Sequence, residues 1–324
     1  MRLLIDENLD PGSLQHTDTM PRMMPATGHA CSRKGLAYVS CDLCGSDTYE
    51  SLFEKSGFRY VKCRICGLVY VNPRLGNPSL RQETFYDTLS DLNGGIDKLA
   101  HGDYSGSRKR RHIREAAAYL PYNVNGRILD IGCGFGGFLK GAAEAGWTNP
   151  EGLEIAPQPA RYVSQFFPVE TKPVEETSYE YSFDVIRIHN VLEHVPSPSS
   201  LIASAYRHLR PGGLLVISTP NFRSLSVTFC REKWHYIGGE DHIHLFTPKT
   251  IAHLLDKKGF HVTSITTRGV HLIPKIYGKK PFSYREILLR NEVLFLKKLF
   301  DLFVRYTLRG NRIRVCAEKR SCLS

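Results

Sequence analysis

The sequence predicts an α/β protein of the doubly wound type with a small metal-binding module ahead of it. One observation is an apolar stretch that runs directly into a glycine-rich loop over residues 127–139. A second is the alternation of short apolar segments with segments of helical period farther along the chain, which is typical of a parallel sheet covered by helices. A third is a pair of Cys-x-x-Cys-Gly units at residues 41–45 and 63–67.

The composition excludes several classes of protein. Of 324 residues, 42% are hydrophobic, which is sufficient for a packed core and excludes a wholly disordered chain. No stretch approaches the roughly 18 uninterrupted apolar residues of a membrane-spanning helix, so we expect a cytoplasmic protein without a signal peptide or transmembrane segment. The formal net charge is +11, and residues 271–324 carry 13 Lys and Arg against four Asp and Glu. Such a balance favours an anionic partner.

The first elements are a lead-in and a ribbon. Residues 1–36 are rich in Asp, Pro, Gly, Ser and Thr without sustained periodicity, so we expect them to be disordered. Residues 37–75 contain both Cys-x-x-Cys-Gly units, with 18 residues between Cys44 and Cys63. Around these units apolar and polar residues alternate as they do in strands. This spacing is typical of a four-thiolate structural zinc site. A disulfide interpretation fits poorly, because five other cysteines show no pairing pattern. The predicted zinc ligands are Cys41, Cys44, Cys63 and Cys66.

A helical linker is expected over residues 76–120, followed by the α/β domain over 121–324. In that domain a buried strand at Ile128–Ile131 precedes Gly132-Cys133-Gly134-Phe135-Gly136-Gly137, and a helical period follows. A strand, a glycine turn and a helix bring a nucleotide-like ligand against backbone amides. At this point a dinucleotide-binding dehydrogenase remains an alternative, since Gly132-x-Gly134-x-x-Gly137 satisfies that fingerprint and Glu154 ends the next strand.

The following segments separate the alternatives. A strand at Phe183–Ile188 leads into His189-Asn190-Val191-Leu192-Glu193-His194. Ser197-Pro198 then caps a helix that ends before Arg210-Pro211-Gly212-Gly213, and Leu214–Ile217 forms another strand.

With these segments the chain resembles the class I S-adenosylmethionine-dependent methyltransferases. The resemblance rests on Asp130-x-Gly132-x-Gly134-x-Gly136, on Glu154, on the 190–194 segment and on residues 209–213, in that order over residues 108–268. It implies a seven-stranded, Rossmann-like methyltransferase sheet with an antiparallel last strand, in which residues 261–267 and 312–317 are the sixth and seventh strands. It also implies S-adenosylmethionine as cofactor. The cofactor-binding residues that it indicates are Asp130, Gly132, Cys133, Gly134, Gly136, Glu154, Ile155, His189 and Asn190.

The resemblance assigns roles to some of these residues. Asp130 would fix the loop and the methionine ammonium, and Glu154 would accept hydrogen bonds from both ribose hydroxyls. The zinc knuckles in front resemble those of a subgroup of small-molecule methyltransferases tied to surface polysaccharide or secondary metabolism.

The acceptor side is expected around residues 234–248, a segment rich in His, acidic and aromatic residues. His242 or His244 would act as general base for an acceptor hydroxyl. Two alternatives remain open: a divalent metal held with Glu240 or Glu193, and a purely structural role for the histidines. The candidate catalytic residues are His242, His244, His194 and Glu193.

An insertion over residues 270–308 separates the last two strands. Its second half, residues 285–308, has the pattern of a basic amphipathic helix, which is compatible with core packing, with an apolar acceptor or with peripheral membrane contact.

The predicted function is methyl transfer to a small-molecule, glycan or lipid-linked acceptor, with a hydroxyl oxygen as the favoured nucleophile. An alternative is rRNA or tRNA methylation, with the ribbon and Arg108-Lys109-Arg110-Arg111 holding phosphates. The fourth-strand end lacks the Asn-Pro-Pro-aromatic segment with which amino-methylating nucleic-acid enzymes stack a flipped base, which disfavours that alternative. A non-enzymatic adaptor is disfavoured by the intact Asp130, glycines and Glu154. The sequence makes no prediction of oligomeric state.

Overall fold

A computed structural model describes residues 36–75, 103–238, 242–270 and 299–320 apart from residue 301. Residues 1–35 of the lead-in predicted to be disordered, most of the predicted linker, Glu240 and most of the 270–308 insertion lie outside these described residues. The prediction of disorder is wrong for Leu36, the last residue of the lead-in, which forms a short strand with Ala37. Among the described residues, no helix is long and apolar enough to cross a membrane.

The main sheet has seven strands. In chain order they are β6 (Arg127–Ile131), β7 (Asn149–Leu153), β8 (Val169–Glu170), β9 (Phe183–His189), β10 (Leu209–Pro220), β12 (Phe260–Arg268) and β13 (Arg312–Lys319). Their order across the sheet is β12-β13-β10-β9-β6-β7-β8, and only the pairs of β13 with β10 and β12 are antiparallel. The predicted seven-stranded sheet with its antiparallel last strand is confirmed.

Helices cover the sheet. The described α-helices are α1 (Gly106–Ala117), α2 (Gly137–Glu144), α3 (Pro157–Val163), α4 (Pro198–His208), α5 (Leu225–Cys230) and α6 (Pro248–Lys257). Short 3₁₀ turns occur at Leu120–Tyr122 and Arg231–Lys233. The Ser197 hydroxyl accepts the Ser200 N–H at the start of α4, as predicted, and a Thr247–Thr250 capping box starts α6.

The ribbon forms a second sheet, and one strand of this sheet comes from the large domain. Its own strands are β2 (Tyr49–Lys55), β3 (Phe58–Cys63) and β4 (Val69–Val71), and β11 (His244–Leu245) pairs antiparallel with β4. A separate two-stranded pair joins β1 (Leu36–Ala37) to β5 (Arg74–Leu75). Strand β11 lies in the 234–248 segment, which the sequence pattern indicated only as a functional loop.

Side chains also fasten the ribbon to the large domain. Asp42, in the first Cys-x-x-Cys turn, accepts the Ser199 N–H at 2.7 Å and the Ser197 hydroxyl at 2.6 Å, which places a carboxylate at the N-terminus of α4. Lys257 Nζ donates to the Leu43 carbonyl at 2.8 Å. Apolar residues of the ribbon and of the large domain belong to one buried cluster. The ribbon is therefore an integral part of the core.

Candidate cofactor and acceptor site

The glycine loop between β6 and α2 has two packed glycines and one open glycine. Gly132, Gly134 and Gly136 all have positive φ, a backbone conformation that residues other than glycine rarely adopt. A Cβ on Gly132 would overlap Val191, and one on Gly136 would overlap Val163. A Cβ on Gly134 would meet nothing within 4 Å. Gly134 is therefore where the loop backbone offers a ligand close approach.

Glu154 lies directly beside this open glycine. Its Oε2 accepts the Gly134 N–H at 2.9 Å, and its Oε1 accepts the Ala156 N–H at 2.9 Å. The side chain is buried, and burial raises its pKa although these amides oppose the shift. Each carboxylate oxygen keeps a further lone pair, so Glu154 can still accept ligand hydroxyls. Ile155, which follows it, is 39% exposed and offers an apolar surface at the same edge.

Asp130 is held from behind by a buried arginine. Arg187 Nη1 donates to Asp130 Oδ1 at 2.7 Å, and Arg187 Nε donates to Glu115 Oε1 of α1 at 3.2 Å. Burial raises the pKa of Asp130 to about 6, and Arg187 opposes that rise. Sequence reasoning missed Arg187, although a charged residue inside the apolar run 185–188 signals a buried partner on a neighbouring strand.

Cys133, also predicted at the cofactor, has a mainly structural environment. Its Sγ packs against Gly152, and its side chain is buried with Leu139 and Val163. Its N–H donates to the Leu153 carbonyl at 3.1 Å, next to the same bond from Gly132 at 2.7 Å. These two amides tie the loop to the end of β7.

The end of β9 presents His189 and Asn190. His189 Nε2 lies 3.1 Å from Arg312 Nη1, and because a guanidinium can only donate, the imidazole is the acceptor. Burial, followed by the charge of Arg187, keeps the pKa of His189 well below its usual range, so the ring is neutral. Asn190 has φ 57°, and its buried Oδ1 has no hydrogen-bond partner among the described residues.

Three predicted catalytic residues converge just beyond this point. Glu193, His194 and His242 each place a ligand-type atom within 4.8 Å of the others. The rings of His194 and His242 have centroids 4.6 Å apart, and His194 Nε2 lies 4.0 Å from Glu193 Oε1. Glu193 is 1% exposed, and burial raises its pKa, a rise that His242 opposes when its ring is protonated. We call Glu193, His194 and His242 the acceptor cluster.

Backbone contacts to the ribbon position this cluster. The Glu193 carbonyl accepts the N–H groups of Ile243 and His244 at 3.0 and 3.1 Å. The Tyr60 hydroxyl of the ribbon donates to the His242 carbonyl at 3.1 Å. The ribbon sheet therefore sets the position of His242 relative to Glu193.

His244 is directed elsewhere. It lies on β11 in the ribbon sheet, where its Nε2 is 3.4 Å from Arg74 Nη1. Burial and the charge of Arg74 lower its pKa to about 3, so it is neutral. The structure does not place it with the acceptor cluster.

The four predicted zinc ligands lie together in the ribbon. One Sγ from each of Cys41, Cys44, Cys63 and Cys66 falls within 4.8 Å of the others, and the pairs 41–66 and 44–63 are 3.4 and 3.5 Å apart. These separations far exceed a disulfide bond of about 2.05 Å. The geometry fits one metal ion, around which thiolates about 2.3 Å away lie roughly 3.8 Å from one another.

Comparison with known proteins decides the family. Residues 104–265, half of the chain, match the family model described as a methyltransferase domain. The chain belongs to this methyltransferase family. The ubiquinone biosynthesis O-methyltransferase of Aliivibrio fischeri strain MJ11 is 28% identical over 176 residues, which cover 48% of this chain and 74% of that protein. The protein of the same name from Haemophilus ducreyi is 32% identical over 146 residues, which cover 39% of this chain and 62% of that protein.

A solved S-adenosylmethionine-dependent methyltransferase from Archaeoglobus fulgidus aligns with 72% of this methyltransferase and 100% of its own chain, at 22% identity and a TM-score of 0.46. The cofactor of the methyltransferase is S-adenosylmethionine. The antiparallel β13 excludes the dehydrogenase alternative that the glycine fingerprint left open.

Proposed function

We propose that this methyltransferase transfers the methyl group of S-adenosylmethionine to a hydroxyl oxygen of a small-molecule acceptor. The observation that carries the proposal is the acceptor cluster, which gathers a carboxylate and two imidazoles beside the glycine loop. Val191, two residues before Glu193, packs on Gly132 of that loop. The O-methyltransferase relatives named above favour the same chemistry.

On the cofactor side, we assign the ribose hydroxyls to Glu154 and the methionine ammonium to Asp130. Gly134 fits close approach of the ligand because its missing side chain leaves open space. Gly132, Cys133 and Gly136 hold the loop in shape, and Ile155 fits the apolar base. Asn190, with its buried unpartnered Oδ1, and the neutral His189 would line the methyl-bearing side of the cofactor.

On the acceptor side, His242 is the proposed general base. Its Nδ1 lies 2.5 Å from the Tyr236 carbonyl oxygen, which can only accept, so Nδ1 carries the proton and Nε2 is the unprotonated nitrogen. The buried Glu193 carboxylate would stabilise the imidazolium that forms. His194 and Glu193 thereby act as positioning residues, and His244 has no proposed catalytic role.

The reaction itself requires alignment more than activation. As His242 takes the hydroxyl proton, the acceptor oxygen forms a bond to the methyl carbon, and the carbon–sulfur bond breaks with its electron pair on sulfur. The products are a methyl ether, S-adenosylhomocysteine and a protonated base. Correct placement of oxygen, carbon and sulfur supplies most of the rate gain in such a displacement.

The acceptor cluster also fits the divalent-metal alternative raised by the sequence, through Glu193 rather than Glu240. Removal of weakly bound metal with a chelator distinguishes the two mechanisms. A general base predicts unchanged turnover, whereas a metal site predicts loss of turnover that added magnesium restores.

We also propose a structural zinc ion bound by Cys41, Cys44, Cys63 and Cys66. The compact set of four sulfurs supports this assignment, and four protein ligands leave no open position for a substrate. Elemental analysis of protein prepared without chelator should give one zinc per chain, and Cys63→Ser should lose it.

The function is tested by labelled methyl transfer to fractionated cell extract. We expect label in the small-molecule or lipid-linked fraction, and label in RNA would instead favour the nucleic-acid alternative. His242→Gln should lower turnover by about 10²–10⁴-fold, because it removes the base. The matched control is His253→Gln, on the exposed face of α6. Full turnover in His242→Gln would contradict the proposed base.

A further inference from the structure

Four arginines meet beside His189 on one face of the sheet. Arg312 and Arg314 lie on β13, Arg268 ends β12, and Arg111 lies on α1. We call these four residues the arginine patch. The motifs that define the cofactor site do not use any of them.

The strand register forces these charges together. Arg268 is directly opposite Arg312 in the antiparallel pair, so their side chains leave the same face of the sheet. Arg314 is opposite Ser218, which in turn pairs with His189 of β9. Like charges placed directly opposite destabilise a sheet. A sheet that keeps such a pair at its ligand-binding end invites a functional explanation.

Among the described residues, the charges around Arg268 are mostly positive. Arg268 is exposed to solvent as a whole residue, but partial desolvation of its guanidinium lowers its pKa, and the charges of Arg314, Arg111 and Arg312 lower it further. The opposing carboxylate is Glu115, which accepts Arg187 Nε at 3.2 Å and the Tyr119 hydroxyl at 2.8 Å. Glu115 is therefore already engaged.

The hydrogen bonds of the patch go to neutral groups. Arg312 donates to His189 Nε2 at 3.1 Å and to the Tyr236 hydroxyl at 3.2 Å. Arg314 donates to the Tyr119 hydroxyl at 2.7 Å. Within the described part of the chain, the Arg111 and Arg268 guanidinium groups make no hydrogen bond or ion pair, and both side chains are exposed. They remain accessible to a ligand.

The patch lies on the acceptor side of the cofactor site. In the sheet, β13 and β12 are separated from β7, which leads to Glu154, by β10, β9 and β6. Arg312 is close enough to the acceptor cluster for its charge to lower the pKa of Glu193. Tyr236 contacts both groups, since its carbonyl accepts His242 Nδ1 and its hydroxyl accepts Arg312 Nε.

We propose that the arginine patch binds an anionic group of the methyl acceptor, a carboxylate or a phosphate, and so places the acceptor's hydroxyl at His242. Guanidinium groups recognise both anions through paired, charge-assisted hydrogen bonds. This inference rests on the proposed function, because only methyl transfer makes the bound molecule a methyl acceptor. Anion binding itself can be measured without any turnover.

The test is calorimetric titration of the full-length protein saturated with S-adenosylhomocysteine. The titrants are phenyl phosphate, benzoate and the neutral benzyl alcohol. We expect one of the anions to bind more tightly than benzyl alcohol, and the tighter anion identifies the acceptor's group as phosphate or carboxylate. Arg268→Gln and Arg312→Gln should each weaken that binding by about tenfold, the usual effect of losing one charge-assisted hydrogen bond.

The matched control is Arg320→Gln, because Arg320 is an exposed arginine of the same terminal region that pairs with Asp256. It should leave anion affinity unchanged, and Arg268→Gln and Arg320→Gln should both keep the wild-type affinity for S-adenosylhomocysteine. Anions that bind no better than benzyl alcohol, or as well in Arg268→Gln as in wild type, would overturn the inference. So would a parallel loss of S-adenosylhomocysteine affinity in Arg268→Gln, because the patch would then bind the cofactor's carboxylate. Anion binding without methylation of any hydroxyl acceptor would instead contradict the proposed function alone.

Discussion

The proposed cofactor half and the proposed acceptor half of this site are built in different ways. The cofactor half, from Asp130 to Ala156, is a single strand–loop–helix–strand unit whose key contact joins Glu154 to Gly134, 20 residues apart. The acceptor half joins distant segments: Tyr60 donates to the His242 carbonyl across 182 residues, and Arg312 donates to the Tyr236 hydroxyl across 76. A local motif encodes the first half, whereas the tertiary fold alone encodes the second.

This difference predicts separable failures. Changes in the glycine loop should affect cofactor affinity, and changes in the ribbon should affect turnover while cofactor affinity persists. Two ribbon residues make the contacts on which turnover should depend: Tyr60 contacts the acceptor segment, and Asp42 contacts helix α4.

The largest expected effect is on the cofactor half. Glu154→Ala removes a buried carboxylate that accepts two backbone N–H groups and is proposed to accept the ribose hydroxyls. Two charge-assisted hydrogen bonds are worth about 3 kcal/mol or more, so the affinity for S-adenosylhomocysteine should fall about a hundredfold. Calorimetry measures this. Glu176→Ala, at an exposed position, is the control. Unchanged affinity in Glu154→Ala would contradict the assignment of the cofactor's ribose hydroxyls to Glu154.

The contact between the glycine loop and Glu154 could be anticipated from the sequence for a physical reason. Strand period, glycine turn and an acidic residue after the next strand are all local signals, so the segment around Gly134 and Glu154 could be found from spacing. The cofactor roles of Asp130 and Glu154 come from the resemblance to the methyltransferases. The alternation that marks Arg312 and Arg314 on the last strand gives their face but not their neighbours. Their proximity to His189 depends on the position of β13 between β10 and β12.

His242 and His244 show the same limit of prediction from local sequence patterns. His242 and His244 are two residues apart and equally suited to catalysis by type. The pairing of β11 with β4 places His244 in the ribbon sheet beside Arg74, while His242 lies with Glu193. That distinction depends on a strand contact between residues 70 and 244, which no local pattern reveals.

A second, smaller effect should appear when the ribbon is loosened. Asp42→Ala removes the acceptor of the Ser199 N–H and the Ser197 hydroxyl. We expect the loss of about 1.5–3 kcal/mol of docking energy, seen as about 10- to 100-fold faster hydrogen exchange in ribbon amides. Affinity for S-adenosylhomocysteine should not change. Asp47→Ala, an exposed position of the same ribbon, is the control. A comparable loss of cofactor affinity would show that the halves are not separable.

The smallest effect is a pH dependence confined to the cofactor half. Since burial raises the pKa of Asp130 to about 6, the carboxyl is largely ionised at pH 7.5 and only about one quarter ionised at pH 5.5. The cofactor's ammonium favours the ionised form, so affinity for S-adenosylhomocysteine should fall about fourfold from pH 7.5 to 5.5. The change should be smaller in Asp130→Asn. An affinity that rises as the pH falls would contradict the assignment of the ammonium to Asp130.

The most direct test of the two-part account is Cys63→Ser, measured for cofactor affinity and methyl transfer in the same preparation. Loss of the proposed zinc site should release the ribbon strands that hold His242. We predict an S-adenosylhomocysteine affinity within about threefold of wild type and a turnover reduced by at least about tenfold. Cys316→Ser, outside the four-thiolate set, should retain both. Full turnover in Cys63→Ser, or loss of cofactor affinity together with turnover, would contradict the account.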